Sequence, residues 1–546
     1  MRRSTPSLWS SDSADNLFGM TVRDVRELLL AARLEPSRAA ELLRPYGFRD
    51  PRAADRDLAA IAEDPTARGR LASILPDLLG GLAASADPDG ALARLERFVR
   101  ASGSSSSILS HLASDPRMID VLTRTFGASP FMAEILIRHP AWFYWLSEPE
   151  VLARARTKDE MARDLGAALE PLRTDERRLD ALRLAKRREI LLIGVRDLLR
   201  RATVEDTLGA LSLLAEVLIE GACVVAEDGL RARLGLSPLA ARALTGPPRP
   251  GFTVLGLGKL GGGELNFSSD VDLIYLYATD RGRASGGAGA PDRGDYFQSL
   301  ARRVTSALVD VTGEGYVYRV DLRLRPEGKS GSVAQSLRSF EDYYRSRGAT
   351  WERLALLKAW PVGGDRVLGA RFLERVRPFI YGRPFDGAAL EDVRRVKQQI
   401  DRKIAQRAES HRDVKLGIGG IREIEFACQV LQVRFGGKHR SLRERGTLGA
   451  LDALRRARLL ALEEHDALVQ AYLFLRDVEN KLQMVSDAQV HALPEAPGEV
   501  RTCALRLGYR DREGLLAEAA FLSDYRSHTE ATHRIFEDVL AGERLR

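Results

Sequence analysis

Apolar positions recur at helical spacing through most of the first 245 residues. From Val204 to about Leu234, the residues Leu208, Leu211, Val217, Leu218 and Val225 return every three to four positions, which predicts a packed amphipathic helix. Ser129-Pro130 predicts another helix start, with serine as N-cap and proline in the first helical position. Phe131, Ile135, Leu136 and His139 follow at helical spacing, and Pro140 marks the end. The run from Leu182 to Glu189 also predicts helix, with its charges outward. The period changes after Thr245-Gly246-Pro247-Pro248-Arg249-Pro250-Gly251, a linker by composition. Phe252 to Leu257 and Val271 to Tyr277 are short β-type runs, and Tyr316 to Leu324 alternates as a strand does. A helix from about Tyr296 to Val311 is expected between the second and third, and the glycine- and alanine-rich stretch from Arg281 to Gly294 reads as a surface loop. Helix returns from about Glu391, with Val393, Val396, Ile400 and Ile404 on one apolar face. Leu473 to Val485 predicts a further helix, with Arg476, Glu479 and Lys481 paired on its exposed side. The plan is an α+β, mostly helical chain. A helical region over 1–245 and a helical bundle over 386–546 flank a small α/β unit over 246–385.

Composition narrows the function classes. Lys and Arg number 83 against 76 Asp and Glu, a net +7 that is slight for 546 residues. No concentrated basic stripe interleaved with aromatic residues stands out, which argues against nucleic acid as partner. No uninterrupted apolar run approaches the ~20 residues of a bilayer span, so no membrane role is expected. Met1-Arg2-Arg3-Ser4-Thr5-Pro6 lacks the apolar stretch of a secretory signal. Cys223, Cys428 and Cys503 lie far apart with no CxxC pair, which argues against structural zinc and fits a reducing, cytoplasmic location.

The chemistry concentrates in GLGKLGGGELNFSSDVDLIYLY, residues 256–277. Gly256, Gly258, Gly261, Gly262 and Gly263 form a turn straight after a strand, where backbone N–H groups can approach phosphate oxygens with no Cβ in the way. Lys259 would add positive charge. The turn is not a Walker A loop, since no GK[ST] sits at the required spacing. It is not a dinucleotide fingerprint either, because a second strand follows where a long helix should come. Asp270-Val271-Asp272 then enters an apolar strand, and alternation points both carboxylates to one face. Adjacent carboxylates repel unless a cation sits between them, and Mg²⁺ takes such oxygen ligands while leaving positions for substrate phosphates. Asp321, in a run bearing Arg319, Arg323 and Arg325, would complete a two-metal site for displacement at phosphorus. Ser268 and Ser269 fit either a phosphate contact or a turn cap. An Asp-x-Asp pair alone is usually a cap or surface feature. The succession of glycine turn, Asp-x-Asp strand, helix and arginine-bearing Asp strand is what makes it informative.

That succession resembles the polymerase-beta-like nucleotidyltransferases. More narrowly, SPFMAEILIRHP, GLGKLGGGELNFSSDVDLIYLY, YRVDLRLRPEGKSG, FEDYYRSRGATWERLALLKAWPV, KLGIGGIREIEFACQVLQVRFGG and LRDVENKLQM resemble the glutamine synthetase adenylyltransferase/deadenylylase family. The fourth, and KLGIGGIREIEF within the fifth, are similar to its N-terminal, deadenylylase half. The resemblance implies a polymerase-beta-like core and a Mg²⁺ site of Asp270, Asp272 and Asp321, with Gly258, Lys259, Ser269, Arg323 and Arg325 around phosphate or nucleotide. It further implies ATP, or ADP and phosphate, as substrate or product. Glutamine synthetase is the implied protein substrate and the PII signal protein a further partner. Only one glycine turn with Asp-x-Asp is present, so a separate chain carrying the other half is an expected partner. Direction stays open between phosphorolytic removal of AMP and its ATP-dependent addition, as does a non-catalytic docking role. Trp351, Glu352, Arg353 and Lys358 match the family but suit helix packing equally. Of Glu423 and Glu425, beside Arg422, at most one is expected to face nucleotide. His139, His439 and His491 have no acid or serine partner pattern and read as ordinary.

Overall fold

The structure is a computed structural model and describes residues 27–29, 35–236, 244, 250–284, 291–405 and 412–541. Met1 to Pro6, Thr245 to Arg249 of the linker and residues 285–290 of the expected loop lie outside the described residues, as do the side chains of Val396, Ile400 and Ile404.

Helix accounts for 67% of the structure, around a small mixed sheet. On the N-terminal side, helices α1 (Asp175–Leu198) and α2 (Val204–Arg233) pack along each other. The chain then runs through β1 (Phe252–Gly256), the short α3 (Gly258–Gly262), β2 (Val271–Tyr277), α4 (Arg293–Val309), β3 (Val320–Asp321), β4 (Ala334–Ser336) and β5 (Trp360–Gly364). On the C-terminal side lie α5 (Ile421–Phe435), α6 (Leu462–Gln483) and α7 (Ala517–Leu540). Strand order is β3-β2-β1-β5, with β4 also pairing with β2. β1 is antiparallel to β2 and β5, and β2 is parallel to β3 and β4.

Helix α2 satisfies the periodicity: Leu208, Leu211, Val217, Leu218 and Val225 are all buried, and Thr203 closes a capping box with Asp206. It also meets the length and composition of a membrane span, which the sequence reading missed, but 78% of its most apolar window is buried inside the protein. The Pro130–Arg138 helix starts on Ser129, whose side chain accepts from the Met132 N–H at 3.0 Å.

The sheet is a middle layer buried on both faces. Val271, Leu273, Tyr275 and Tyr277 join the hydrophobic core built with the N-terminal helices. Ile274 and Leu276 join the core shared with α5, α6 and α7. Strand alternation therefore assigns Asp272 to the face of Ile274 and Leu276, toward the C-terminal helices.

Three expectations need correction. The strand expected over Tyr316 to Leu324 pairs only at Val320 and Asp321, because Pro326 and the left-handed Glu327 (φ 62°) and Gly328 (φ 56°) pull the chain into turns. The charges of the 182–189 helix are not all outward. Arg183 is fully buried and donates to the carbonyls of Leu179 and Gly315, both at 2.7 Å, while Lys186 lies over the Tyr316 ring at 4.9 Å. Most consequentially, Arg476, Glu479 and Lys481 are wholly buried rather than an exposed set, because α6 threads the interior with polar partners on every side.

Candidate active site

Register brings the carboxylates together. Asp272 is the direct partner of Asp321 across the parallel β2–β3 pair, and Asp270 lies just before β2. The glycine turn is pinned against them by the Leu257 N–H, which donates to the Asp272 carbonyl at 2.9 Å. Gly258 (φ +53°) then passes so close that a Cβ there would lie 2.7 Å from Asp272 Oδ2. Only glycine combines this left-handed backbone with that approach.

Each outer carboxylate carries its own arginine. Arg319 Nε donates to Asp270 Oδ1 at 2.7 Å while its other nitrogens reach the Tyr316 hydroxyl and the Ser268 carbonyl. Arg323 embraces Asp321 through Nε (2.8 Å to Oδ2) and its backbone N–H (2.8 Å to Oδ1). Burial works against the Asp321 charge, yet Arg323 holds its pKa below the ordinary range, helped by nearby Lys329. Asp272 differs: among the described residues nothing donates a hydrogen bond to its carboxylate. Burial, then the charge of Asp321, push its pKa up to about 6, with Asp270 adding to the rise and Lys415 and Arg422 opposing it.

An unsatisfied carboxylate facing two others is a donor set suited to a hard, oxygen-ligated cation such as Mg²⁺. Among the described residues no three acidic, histidine or cysteine side chains form a ready cage, since Asp270 and Asp321 are turned to Arg319 and Arg323.

The residues expected around phosphate divide. Gly258 and Arg323 are at the carboxylates. Lys259 is not open to a phosphate. It donates to Glu479 at 2.6 Å and Asn266 at 2.9 Å, pointing into the interior against α6. Ser269 caps its own turn, its hydroxyl accepting from the Asn266 N–H at 3.3 Å, and the Ser268 hydroxyl donates to Asp487. Arg325 braces the loop after β3, donating to the carbonyls of Leu322 (2.7 Å), Gly331 (3.1 Å) and Lys329 (3.2 Å). Trp351 is 38% exposed, while Glu352 and Arg353 are buried among their own neighbours. Neither glutamate of α5 faces the carboxylates: Glu423 takes Lys397 at 3.0 Å and the Gly419 N–H at 3.0 Å, and Glu425 takes Lys358 at 2.7 Å.

The sequence reading passed over Lys415 and Lys329 and the buried network behind the turn. Lys358 bridges Glu264 (2.9 Å) and Glu425 (2.7 Å). Burial disfavours both charges, yet Lys358 holds Glu425 down to about 2. Arg476 donates to Asn266 at 2.6 Å, and Asn266 to Asn480 at 2.8 Å. The clue lay in α6: charged residues at 476, 479 and 481 cannot all share one solvent face of a helix.

Comparison with known proteins now bears on this arrangement. The family model for glutamate-ammonia ligase adenylyltransferase matches residues 119–375, and that for GlnD PII-uridylyltransferase matches residues 393–540. The chain is 36% identical to the bifunctional glutamine synthetase adenylyltransferase/adenylyl-removing enzyme of Shewanella loihica, over 78% of this chain and 43% of that protein. It is 39% identical to the protein of the same description from Thioalkalivibrio sulfidiphilus, over 78% and 42%. The counterpart in Stenotrophomonas maltophilia is 40% identical, over 74% and 41%. The chain thus matches less than half the length of these relatives. Residues 119–375 carry a glutamate-ammonia ligase adenylyltransferase family domain.

Proposed function

We propose that this chain is a Mg²⁺-dependent nucleotidyltransferase that removes AMP from adenylylated glutamine synthetase by phosphorolysis, releasing ADP. The observation that carries the reading is the direct pairing of Asp272 with Asp321, with Asp270 beside them and, among the described residues, no donor on Asp272. A docking module has no physical need for such mutual repulsion. Asp270, Asp272 and Asp321 would hold Mg²⁺, which when bound neutralises charge on the attacking and leaving oxygens. An oxygen of inorganic phosphate bonds to the phosphorus of AMP as the tyrosine–oxygen–phosphorus ester breaks. The tyrosine oxygen keeps the electron pair and gains a proton, leaving ADP. Such chemistry needs chiefly positioning and charge neutralisation. The chain's own part is to aim the carboxylates with the rigid glycine turn and β2–β3 register, and to orient Asp270 and Asp321 through Arg319 and Arg323.

The removing direction rests on the similarity of residues 340–362 and 415–426 to the deadenylylase half of the family. A second reading is the reverse reaction, ATP-dependent addition of AMP, because the names of the relatives carry both activities. We infer the PII protein as regulatory partner from the match over residues 393–540. A cytoplasmic location agrees with three free, buried cysteines.

Intact-mass measurement of glutamine synthetase tests the reading. With Mg²⁺ and phosphate, AMP-bearing synthetase is expected to lose AMP as ADP appears. Gain of AMP from ATP by unmodified synthetase reverses the direction. No change in either reaction rejects the enzyme reading for this target.

A further inference from the structure

The turn leading into α5 lies beside the carboxylates through a short chain of contacts. The Val414 N–H donates to the His491 carbonyl at 2.8 Å, and His491 Nδ1 stands 3.1 Å from Glu479. Glu479 pairs with Lys259, which follows Gly258, the glycine pressed against Asp272. The turn then doubles back. The N–H groups of Ile421 and Arg422 donate to the carbonyls of Val414 and Lys415 at 3.1 and 3.0 Å, so Lys415 and Arg422 leave the backbone from adjoining positions. Gly419 permits this: its φ is +71°, and a Cβ there would meet the Thr529 carbonyl oxygen at 1.9 Å.

Unlike the arginines after β2 and Lys259, these two are uncommitted. Arg319, Arg323, Arg325 and Lys259 each donate to a protein oxygen. Among the described residues, neither the Lys415 ammonium nor the Arg422 guanidinium has a hydrogen-bonded or ion-paired partner. Arg422 lies over the Phe426 ring, 5.1 Å to its centre, which orients the guanidinium and leaves its donors available. The charges of both oppose the rise in the Asp272 pKa. Half-buried cations with free donors, facing carboxylates that call for a metal, are suited to a phosphate group shared between the two.

We propose that Lys415 and Arg422 form a phosphate-binding subsite on the C-terminal side of the cleft, across from Asp272. It takes the phosphate that is not transferred with AMP. That is inorganic phosphate in the removing direction and the terminal phosphates of ATP in the adding direction. The identity of the ligand rests on the AMP-transfer reading above, whereas the cation pair itself does not.

Calorimetry on the whole chain with Mg²⁺ tests it, with inorganic phosphate in one series and ATP in the other. Wild type is compared with Lys415→Met and Arg422→Met. Each variant is expected to weaken the anion that wild type binds by about tenfold or more, the worth of one charge-assisted contact. Which series shows the loss names the source of the phosphate. Binding unchanged in the variants overturns the subsite, as does wild type binding neither anion. Should Arg422→Met fail to fold, Lys415→Met decides alone. AMP transfer on glutamine synthetase, assayed with the same preparations, separates the two readings. Variant-sensitive anion binding without AMP transfer keeps the subsite and removes the synthetase. AMP transfer with variant-insensitive binding does the reverse.

Discussion

Lys259 Nζ lies 2.6 Å from Glu479 Oε1, and this pair ties the glycine turn to the middle of α6, 220 residues away in sequence. Burial pulls the Lys259 pKa down to about 7 even against the attraction of Glu479. Burial also opposes the Glu479 charge, but Lys259, His491 and Arg476 hold its pKa well below the ordinary carboxylate range. A buried pair of this kind adds little net stability, because desolvation offsets the attraction. What it gives is one defined placement of the turn that presses on Asp272.

Removing one partner alone is therefore expected to be costly. Glu479→Ala leaves Lys259 and Arg476 buried without their counter-charge, a loss of about 3–5 kcal/mol. Lys259→Met strands Glu479 less completely, since Arg476 remains 3.6 Å away. The double change Lys259→Met with Glu479→Met is expected to lose clearly less than the sum of the single changes. Urea unfolding of the four proteins measures the coupling. Strict additivity would show that the two side chains do not act as a pair.

Asp272 gives a pH dependence of definite sign. Its pKa is raised in the folded protein from 3.8 to about 6, so the folded state holds the proton more tightly than the unfolded chain. The stability linked to that proton is fully present below about pH 4 and is lost as pH rises through 6. Without Mg²⁺, Asp272→Asn is expected to gain on the order of 2 kcal/mol at pH 7.5 and almost nothing at pH 4. The same variant is expected to lose the rise in melting temperature that Mg²⁺ gives wild type. Melting curves at both pH values, with and without Mg²⁺, decide. No gain at pH 7.5 without metal would mean that Asp272 is not strained by burial and its neighbours.

The parts legible in the sequence were those governed by local rules. The strand over Val271 to Tyr277 was bounded correctly because its apolar run is continuous and the Asp-x-Asp marks its start. Helix α2 followed from its apolar period. The roles of Lys259 and Arg325 were not legible, because a cation beside a phosphate turn reads the same whether it points out to ligand or inward to Glu479. That choice depends on an α6 residue far along the chain, which no local pattern reveals. Lys415 escaped for the same reason, since it reaches the carboxylates only through the fold of the C-terminal helices.

Arg325 separates a bracing role from a ligand role. Its three donors hold the carbonyls of Leu322, Lys329 and Gly331 and so shape the loop that follows Asp321. Arg325→Met is expected to speed proteolytic cleavage between 322 and 331 and to lower kcat by about tenfold, with KM for inorganic phosphate nearly unchanged. A raised KM with unchanged cleavage would restore the phosphate contact expected from sequence.

Gly258 offers the sharpest test of the carboxylate geometry, because Gly263 provides its control. Both have left-handed backbones, φ +53° and φ +74°, so alanine at either position is expected to cost about 1–2 kcal/mol in strain. They differ in what the new methyl meets. At Gly258 it would lie 2.7 Å from Asp272 Oδ2, whereas at Gly263 its nearest neighbour is Arg445 at 3.6 Å. Gly258→Ala must therefore displace the carboxylate or shift the turn away from it, and Gly263→Ala need do neither. Both variants are expected to lose melting temperature, Gly258→Ala the more because of that clash, with Mg²⁺-linked stabilisation and AMP transfer reduced at least about tenfold in Gly258→Ala only. If both variants keep their Mg²⁺ response, the turn does not position Asp272, and the cation is held elsewhere. If both lose it, backbone strain in the turn rather than contact with the carboxylate controls the site.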